Sequence, residues 1–316
     1  MNNISEMYSR LHDEVGKAVV GQDGTKEELF CALLSGGHVL LEGVPGIAKT
    51  LLVRTFCRAI GADFGRIQFT PDMMPSDVTG SNIYDSNTGA FHFRRGPIFT
   101  DLLLADEINR TPPKTQSALL EAMQEKTVTN DGAQYDLGAL FTVVATQNPL
   151  EFEGTYALPE AQLDRFQLKS VLNYPSEAEE AEVLNRVQAG FDAQDLASAH
   201  IQAIATKEDV LNARKEARAV GTTPEVRAYI LSIVRTTRET PAIVVGASPR
   251  ATISLLLTSQ VIAALRGRDF VTPDDIKRMA KPVLRHRLIL RPEAEIEGYS
   301  TDRVVDDVLA KLPVPR

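Results

Sequence analysis

An eight-residue block, GVPGIAKT at residues 43–50, constrains the fold of this chain more than any other feature. The block follows an apolar run, HVLLE, and precedes LLVRTFCRAIG, so it joins a predicted buried strand to a predicted helix. In such a loop the backbone N–H groups and the helix N-terminus face phosphates, the lysine reaches the β and γ oxygens, and the threonine hydroxyl binds Mg²⁺. We therefore predict a P-loop for a nucleoside triphosphate. Its predicted cofactor-binding residues are Gly43, Val44, Pro45, Gly46, Ile47, Ala48, Lys49, Thr50 and Leu51.

One position departs from the usual P-loop pattern. Ala48 stands where a glycine normally precedes the lysine. Because a Cβ atom disfavours left-handed backbone conformations, we expect helical or near-helical geometry at Ala48 and a slightly stiffer loop.

Two adjacent carboxylates, Asp106 and Glu107, end the apolar run LLLA. Because neighbouring side chains on a strand point to opposite sides, one carboxylate can join the Mg²⁺ shell while the next reaches the water that attacks the γ-phosphate. We assign Asp106, together with Thr50, to the metal and Glu107 to the water. The alternative is that both carboxylates only cap the turn that follows.

Five apolar segments have the composition of buried strands, namely HVLLEG, FGRIQFT, FTDLLLADE, LFTVVATQN and FQLKSVLNYP. Mostly helical segments separate them, and this alternation predicts a mostly parallel sheet covered on both faces. Beyond residue 175 the strand signals fade, and helices with N-cap residues at Ser248 and Thr272 follow. We therefore predict an α/β fold with an αβα core at 1–175 and a small all-helical domain at 176–316.

Two stretches interrupt the alternation of strands and helices. Residues 71–98 contain prolines, glycines and a turn signal at 87–89, which predicts an inserted hairpin-like element. Residues 126–138 have β-branched flanks around Asn130, Asp131 and Gly132, which predicts a short hairpin.

Composition narrows the classes of function. The chain has 42 acidic and 34 basic residues and a net charge of −8, which disfavours a nonspecific grip on nucleic acid. Cys31 and Cys57 form no CxxC pair, and the five histidines show no ligand spacing, so we predict neither a disulfide framework nor a zinc site. We find no secretory signal and no apolar run long enough to span a bilayer, and we expect a cytoplasmic protein without membrane insertion.

A series of motifs extends along nearly the whole chain in a specific order and spacing. They are VVGQ at 19–22, GVPGIAKT, QFTPDMMPSDVTG, FRRGPIF, LLLADEINRTPPKTQSALLEAMQE, ATQNP, GTYALPEAQLDRF and GASPRA. Together they resemble the MoxR family of AAA+ ATPases, within the helix-2-insert clade, where alanine before the P-loop lysine is usual. The resemblance implies a P-loop NTPase αβα core with a mostly parallel five-stranded sheet, followed by a small all-helical lid domain.

The resemblance implies catalytic roles for three further residues. Asn148 matches sensor 1 and would orient the attacking water, although it can equally hold the Asn-Pro turn that follows. Arg165 matches the arginine finger, which reaches the γ-phosphate on a neighbouring subunit; without the resemblance, a surface ion pair with Asp164 is the commoner role. Arg250 matches sensor 2 and would contact phosphate from the lid, which would explain a cation at a helix N-terminus.

The resemblance also gives meanings to the segment at 19–22 and to the two interruptions. Val20, Gly21 and Gln22 would line the adenine pocket, mainly through backbone groups. Residues 71–98 would form the helix-2 insert and residues 126–138 the pre-sensor hairpin, both facing a central channel. His92 and Phe93 could then act on a client, or could only pack the insert onto the body.

The resulting hypothesis is an ATP- and Mg²⁺-dependent, chaperone-like remodeller that works as a ring, with a hexamer implied by the family. The implied partners are a von Willebrand factor A domain protein and a protein client. Three alternatives stay open: a chelatase-type ATPase subunit, a nucleic-acid motor, and a nucleotide-gated scaffold with little hydrolysis. The absence of a dense basic tract counts against the motor, and the presence of Glu107, Asn148 and Arg165 counts against the scaffold.

Overall fold

The computed structural model describes residues 3–149 and 154–315. The strands are β1 (Val39–Glu42), β2 (Phe64–Gln68), β3 (Gly80–Asp85), β4 (Ala90–Arg95), β5 (Leu102–Asp106), β6 (Thr127–Asn130), β7 (Ala133–Asp136), β8 (Thr142–Gln147), β9 (Leu168–Val171), β10 (Ile243–Val245) and β11 (Ile289–Leu290). The helices of the first part are α1 (Asn3–Gly16), α2 (Asp23–Ser35), α3 (Lys49–Ala59), α4 (Pro75–Thr79), α5 (Pro113–Glu125) and α6 (Glu160–Leu163). Those that follow are α7 (Glu177–Gln188), α8 (Lys207–Arg218), α9 (Pro224–Glu239), α10 (Pro249–Leu265), α11 (Pro273–Leu284), α12 (Pro292–Ile296) and α13 (Thr301–Lys311).

A five-stranded parallel sheet with the order β2-β5-β8-β1-β9 forms the centre of the body. Its strands are the five that the apolar segments predict. Along β1, Val39 and Leu41 join one hydrophobic core, while Leu40 joins the other, on the opposite face. This alternation explains why the strand residues are continuously apolar: both faces of a parallel sheet are buried.

The second part of the chain is helical, as predicted, with one addition. Ser248 accepts a hydrogen bond from the backbone N–H of Arg250 and caps α10, and the Thr272 N–H donates to Asp275 at the start of α11. The addition is a short antiparallel pair, β10 and β11, which the sequence patterns did not predict. None of the helices in the described ranges combines the length and apolar character that a bilayer crossing needs.

The two interruptions form antiparallel hairpins, β3–β4 and β6–β7, as predicted. The two hairpins pack against each other. Phe93 stacks on Tyr135 with ring centroids 4.2 Å apart, and Asn82 donates a hydrogen bond to Asp131. Phe93 therefore packs within the protein, whereas His92 is exposed and contacts Thr88. The domain boundary at residue 175 stays a prediction.

Candidate functional site

The P-loop connects the end of β1 to the start of α3 at Lys49. Gly46 has φ +83°, and a Cβ atom built on it would meet nothing within 4 Å, so the loop is open on that side. Ala48 has φ +62° and ψ +26°, a left-handed conformation. The expectation of near-helical backbone at Ala48 is therefore wrong, because the loop geometry overrides a steric preference of about 1–2 kcal/mol.

The remaining P-loop residues surround the start of α3. Lys49 Nζ donates a hydrogen bond to the carbonyl oxygen of Gly43 at 2.6 Å, so its side chain lies along its own loop. Val44 is half-buried against the hydrophobic core, and Pro45 is exposed. The lysine ammonium is therefore held at the loop, where a P-loop lysine binds phosphate oxygens.

Asp106 and Thr50 lie together at the carboxyl edge of the sheet. Asp106 is buried, and its Oδ2 accepts hydrogen bonds from Thr50 Oγ1 at 3.3 Å and from Arg66 Nη2 at 2.8 Å. Its Oδ1 accepts from Thr146 Oγ1 at 2.6 Å. A hydroxyl and a carboxylate at this spacing fit Mg²⁺, which usually takes one or two protein oxygens and fills the other positions with phosphate and water.

Glu107 directly follows β5, and its carboxylate contacts different partners from that of Asp106. Its backbone N–H donates to Thr146 Oγ1 at 2.9 Å, and its φ is +57°. The carboxylate accepts hydrogen bonds of 2.9 Å from Gln68 Nε2 and from Arg110 Nη1. Asn148 is buried directly after β8, the strand beside β5. The side-chain amide of Asn148 and the carboxylates of Asp106 and Glu107 thus lie at the carboxyl edge of the sheet.

Two residues of β2 that contact the carboxylates were not among the predicted site residues. Arg66 donates to Asp106, and it also donates to Gln68 Oε1 at 2.8 Å, while Gln68 donates to Glu107. Both side chains are exposed at the open edge of the sheet. The available signals were their place near the end of a predicted strand and, for Gln68, its position at the start of the motif QFTPDMMPSDVTG.

A cavity of about 460 Å³ lies beside the P-loop, between α7 and the segment that precedes α2. Of the predicted residues, it is lined by Val20, Gln22, Gly46, Ile47, Ala48 and Leu51. Gly21 lies between Val20 and Gln22, and both Gly21 and Gln22 have left-handed backbone conformations. A mostly apolar cavity with backbone groups at one end is suited to a flat heteroaromatic base.

The opposite wall of this cavity comes from α7, which the sequence analysis did not assign to the site. It contributes Val183, Leu184 and Val187, whose exposed fractions are 43%, 71% and 57%. Three exposed apolar side chains on one short helix indicate a surface that binds a ligand or another protein. Their spacing in the sequence was a usable signal, but it equally fits a helix packed on a core.

Arg165 and Arg250 lie together, but at the other edge of the sheet. Both line a cavity of about 430 Å³ with His38 and Gln124, and Arg250 Nη2 donates to Gln124 Oε1 at 3.2 Å. His38 directly precedes β1, whereas the P-loop directly follows it. The cavity and the P-loop are therefore at opposite ends of one strand.

The resemblance implies that Arg250 contacts phosphate from the lid, and the structure places it at the edge opposite the P-loop of its own chain. The reason is the way the helical part docks: α10 packs on α2, and α2 leads into the amino end of β1. The lid arginine and the predicted arginine finger consequently face the same way, away from the P-loop of their own chain.

The parallel sheet order, the P-loop and the paired carboxylates define a P-loop ATPase of the AAA class with an attached lid. The family described as "ATPase family associated with various cellular activities (AAA)" matches residues 38–168, and the AAA lid domain matches residues 235–308. Within that class the chain belongs to the MoxR family, as its relatives show.

The chain is 47% identical over 312 residues to the uncharacterized protein YeaC of Bacillus subtilis, covering 96% of each chain. It is 41% identical to the chaperone MoxR1 of Mycobacterium tuberculosis, covering 96% of this chain and 81% of the relative. A solved structure of an inferred ATPase from Cytophaga hutchinsonii superposes with a TM-score of 0.90 at 44% identity, covering 99% of this chain and 96% of the other.

Proposed function

We propose that this protein hydrolyses Mg·ATP at sites shared between neighbouring copies of the chain. The observation that carries this proposal is the separation of two groups of residues. The P-loop, Asp106 and Glu107 occupy the carboxyl edge of the sheet, whereas Arg165 and Arg250 occupy the amino edge. From His38 to Gly43 the chain advances by five strand residues, or roughly 16 Å. That span is too long for an arginine side chain to bridge from one edge to the other.

Each residue of the carboxyl edge would have a distinct task. The P-loop amides and Lys49 would bind the phosphates, and Thr50 and Asp106 would hold Mg²⁺, which neutralises charge on the phosphate oxygens when bound. Glu107 would orient the attacking water, held in place by Gln68 and Arg110. Asn148 would be a second group for the same water. The base would lie in the cavity between Val20 and Leu184.

The amino edge would complete the site of the next subunit. Arg165 and Arg250 would approach the phosphates bound by that subunit and offset the negative charge that develops in the transition state. Repetition of such a head-to-tail contact closes into a ring when the rotation between copies permits. The family resemblance supports six subunits in that ring.

We further propose that the ring remodels a protein client, as a chaperone that assembles or activates a partner complex. The relative MoxR1 of Mycobacterium tuberculosis is named as a chaperone, which supports this proposal. The β3–β4 hairpin also presents a cross-strand pair of exposed aromatic side chains, Tyr84 and Phe91, which are 56% and 70% exposed. The MoxR resemblance supports a von Willebrand factor A domain protein as the partner.

The test is ATP turnover per subunit, measured across a wide range of protein concentration. We expect turnover per subunit to rise with concentration, because the site is complete only between copies. Arg165→Ala should lower kcat by about 10³-fold or more, as loss of an arginine finger does elsewhere. Glu107→Gln should also abolish turnover, because an amide cannot accept a proton from the attacking water. Concentration-independent turnover with a silent Arg165→Ala would place catalysis within one subunit and contradict the proposal. ATP binding without turnover at any concentration would favour the scaffold.

A further inference from the structure

The carboxylate of Asp164 connects the two arginines of the amino edge. Asp164 directly precedes Arg165 in the chain. Its Oδ1 and Oδ2 accept hydrogen bonds from Ser248 Oγ at 3.0 and 2.9 Å. Ser248 is the N-cap of α10, and its Oγ accepts from the backbone N–H of Arg250 at 3.1 Å. One carboxylate therefore fixes both the segment that carries Arg165 and the helix end that carries Arg250.

A buried arginine, Arg287, forms an ion pair with this carboxylate. Arg287 has a side chain only 2% exposed, and its Nε donates to Asp164 Oδ1 at 2.8 Å. Its other donors bind backbone carbonyls on both sides of Arg165: Nη2 donates to Phe166 at 2.5 Å and to Asp164 at 3.3 Å, and Nη1 donates to Gln167 at 3.1 Å. Nη1 also donates to the carbonyl oxygen of Val283. A guanidinium with its donors used in a fixed fork holds these groups at one spacing, which a lysine cannot do.

We propose that Asp164 and Arg287 are positioning residues, which hold Arg165 and Arg250 as a single two-arginine unit for the nucleotide of the neighbouring subunit. This inference rests on the proposed shared site. In this proposal Asp164 and Arg287 act through the two arginines rather than on the nucleotide itself. Because Ser248 joins the lid helix to the same carboxylate, any movement of α10 against the body also moves Arg165.

The first consequence is a defect in turnover that leaves the chain's own nucleotide pocket intact. Asp164→Asn keeps the volume of the side chain but removes the charge that pairs with Arg287. We expect kcat to fall by about tenfold to a hundredfold, the cost of misplacing a catalytic group by about 1 Å. The affinity of the P-loop for a fluorescent ATP analogue should stay at the parent value, because that pocket lies at the other edge of the sheet.

The decisive experiment mixes variant subunits. Asp164→Asn subunits keep their own P-loop and Glu107, and Glu107→Gln subunits keep their own arginines. In an equimolar mixture, about a quarter of all sites join a complete carboxyl edge to a complete amino edge, so we expect about a quarter of the parent turnover. A subunit that is rescued in this way must be folded. Arg287→Lys serves as the second variant if Asp164→Asn does not fold.

Two controls separate this inference from the proposed function. Arg165→Ala mixed with Glu107→Gln tests the shared site alone, and failure of that mixture to recover overturns both proposals. Asp275→Asn is the matched buried carboxylate: Asp275 is fully buried in the lid and pairs with Arg266 and Arg268. It should lower thermal stability but leave kcat unchanged. If the Arg165→Ala mixture recovers while Asp164→Asn alone keeps the parent kcat, or gains nothing from Glu107→Gln subunits, the positioning role is refuted.

Discussion

Arg66 donates a hydrogen bond to the carboxylate oxygen of Asp106 that would coordinate a bound Mg²⁺. Its Nη2 lies 2.8 Å from Asp106 Oδ2, the same oxygen that accepts from Thr50. The guanidinium thus supplies the positive charge that Mg²⁺ would supply with a nucleotide bound. For both Asp106 and Thr50 to face the cation, the ion pair with Arg66 has to weaken or break. Substituting Arg66 with alanine should therefore strengthen the part of nucleotide affinity that depends on Mg²⁺.

The size of this effect follows from the exposure of the pair. The side chain of Arg66 is 46% exposed and that of Asp106 is 11% exposed, so water screens the pair from one side. Half-exposed ion pairs contribute about 0.5–1 kcal/mol. If this ion pair no longer competes with Mg²⁺, the affinity for Mg·ATP should rise by roughly twofold to fivefold.

The measurement is a titration with a fluorescent ATP analogue in Mg²⁺ and, separately, in EDTA. The ratio of the two dissociation constants isolates the effect at Asp106, because loss of a cation near the phosphates alters both titrations. Lys207→Ala is the matched control: Lys207 is 40% exposed and bridges Asp63 and Asp101, which precede the same two strands at their other edge. If Arg66→Ala leaves the ratio at the parent value, or tightens binding equally in EDTA, the competition between Arg66 and Mg²⁺ does not exist.

Three further predictions concern single side chains. Ala48→Gly should stabilise the protein by about 0.5–1 kcal/mol, because relief of the left-handed alanine exceeds the entropic cost of glycine; the melting temperature should rise by about 1 °C, and a fall would contradict this. Leu184→Ala should weaken nucleotide binding by about fivefold in a direct titration while leaving the melting temperature unchanged, because this leucine contacts the cavity and no core. His38 has its pKa lowered to about 4 by burial. Between about pH 6.5 and 4 the imidazole is therefore protonated in the unfolded chain but neutral in the folded chain. The free energy of unfolding should fall over this range by up to about 1.4 kcal/mol per pH unit. His38→Gln should flatten that slope in urea unfolding, and an unchanged slope would assign it to other groups.

Local patterns in the sequence predicted the central sheet and the carboxyl edge well. The apolar runs mark strands buried on both faces, and the P-loop and the Asp106–Glu107 pair each sit at the end of such a run. Since all five strands are parallel, their carboxyl ends share one edge, and the functional groups come together without any knowledge of helix packing. The caps at Ser248 and Thr272 were equally local and equally predictable.

Features that depend on tertiary contacts were not predictable in the same way. Whether Arg250 faces the P-loop of its own chain depends on how α10 docks on α2, and no periodicity encodes that choice. The left-handed backbone of Ala48 opposes the residue's own preference, so a local rule gave the wrong conformation. The contribution of α7 to the cavity was not predicted, because the apolar spacing around Leu184 equally fits a buried helix face. Only the structure shows that this face is exposed.

Helix α5 joins the two edges of the sheet and would give the proposed shared site a physical connection to the hairpins. It begins shortly after Glu107 and extends for 13 residues, or about 20 Å, to Glu125. Near its end, Gln124 accepts the hydrogen bond from Arg250, and the β6–β7 hairpin begins directly after it and stacks on the β3–β4 hairpin through Phe93. Under the proposed function Glu107 would act on one nucleotide and Arg250 on the next, and a rigid helix between these points would couple both to the hairpins. Work on a client would thus be coupled to two neighbouring sites at once, because the same helix is the support for both.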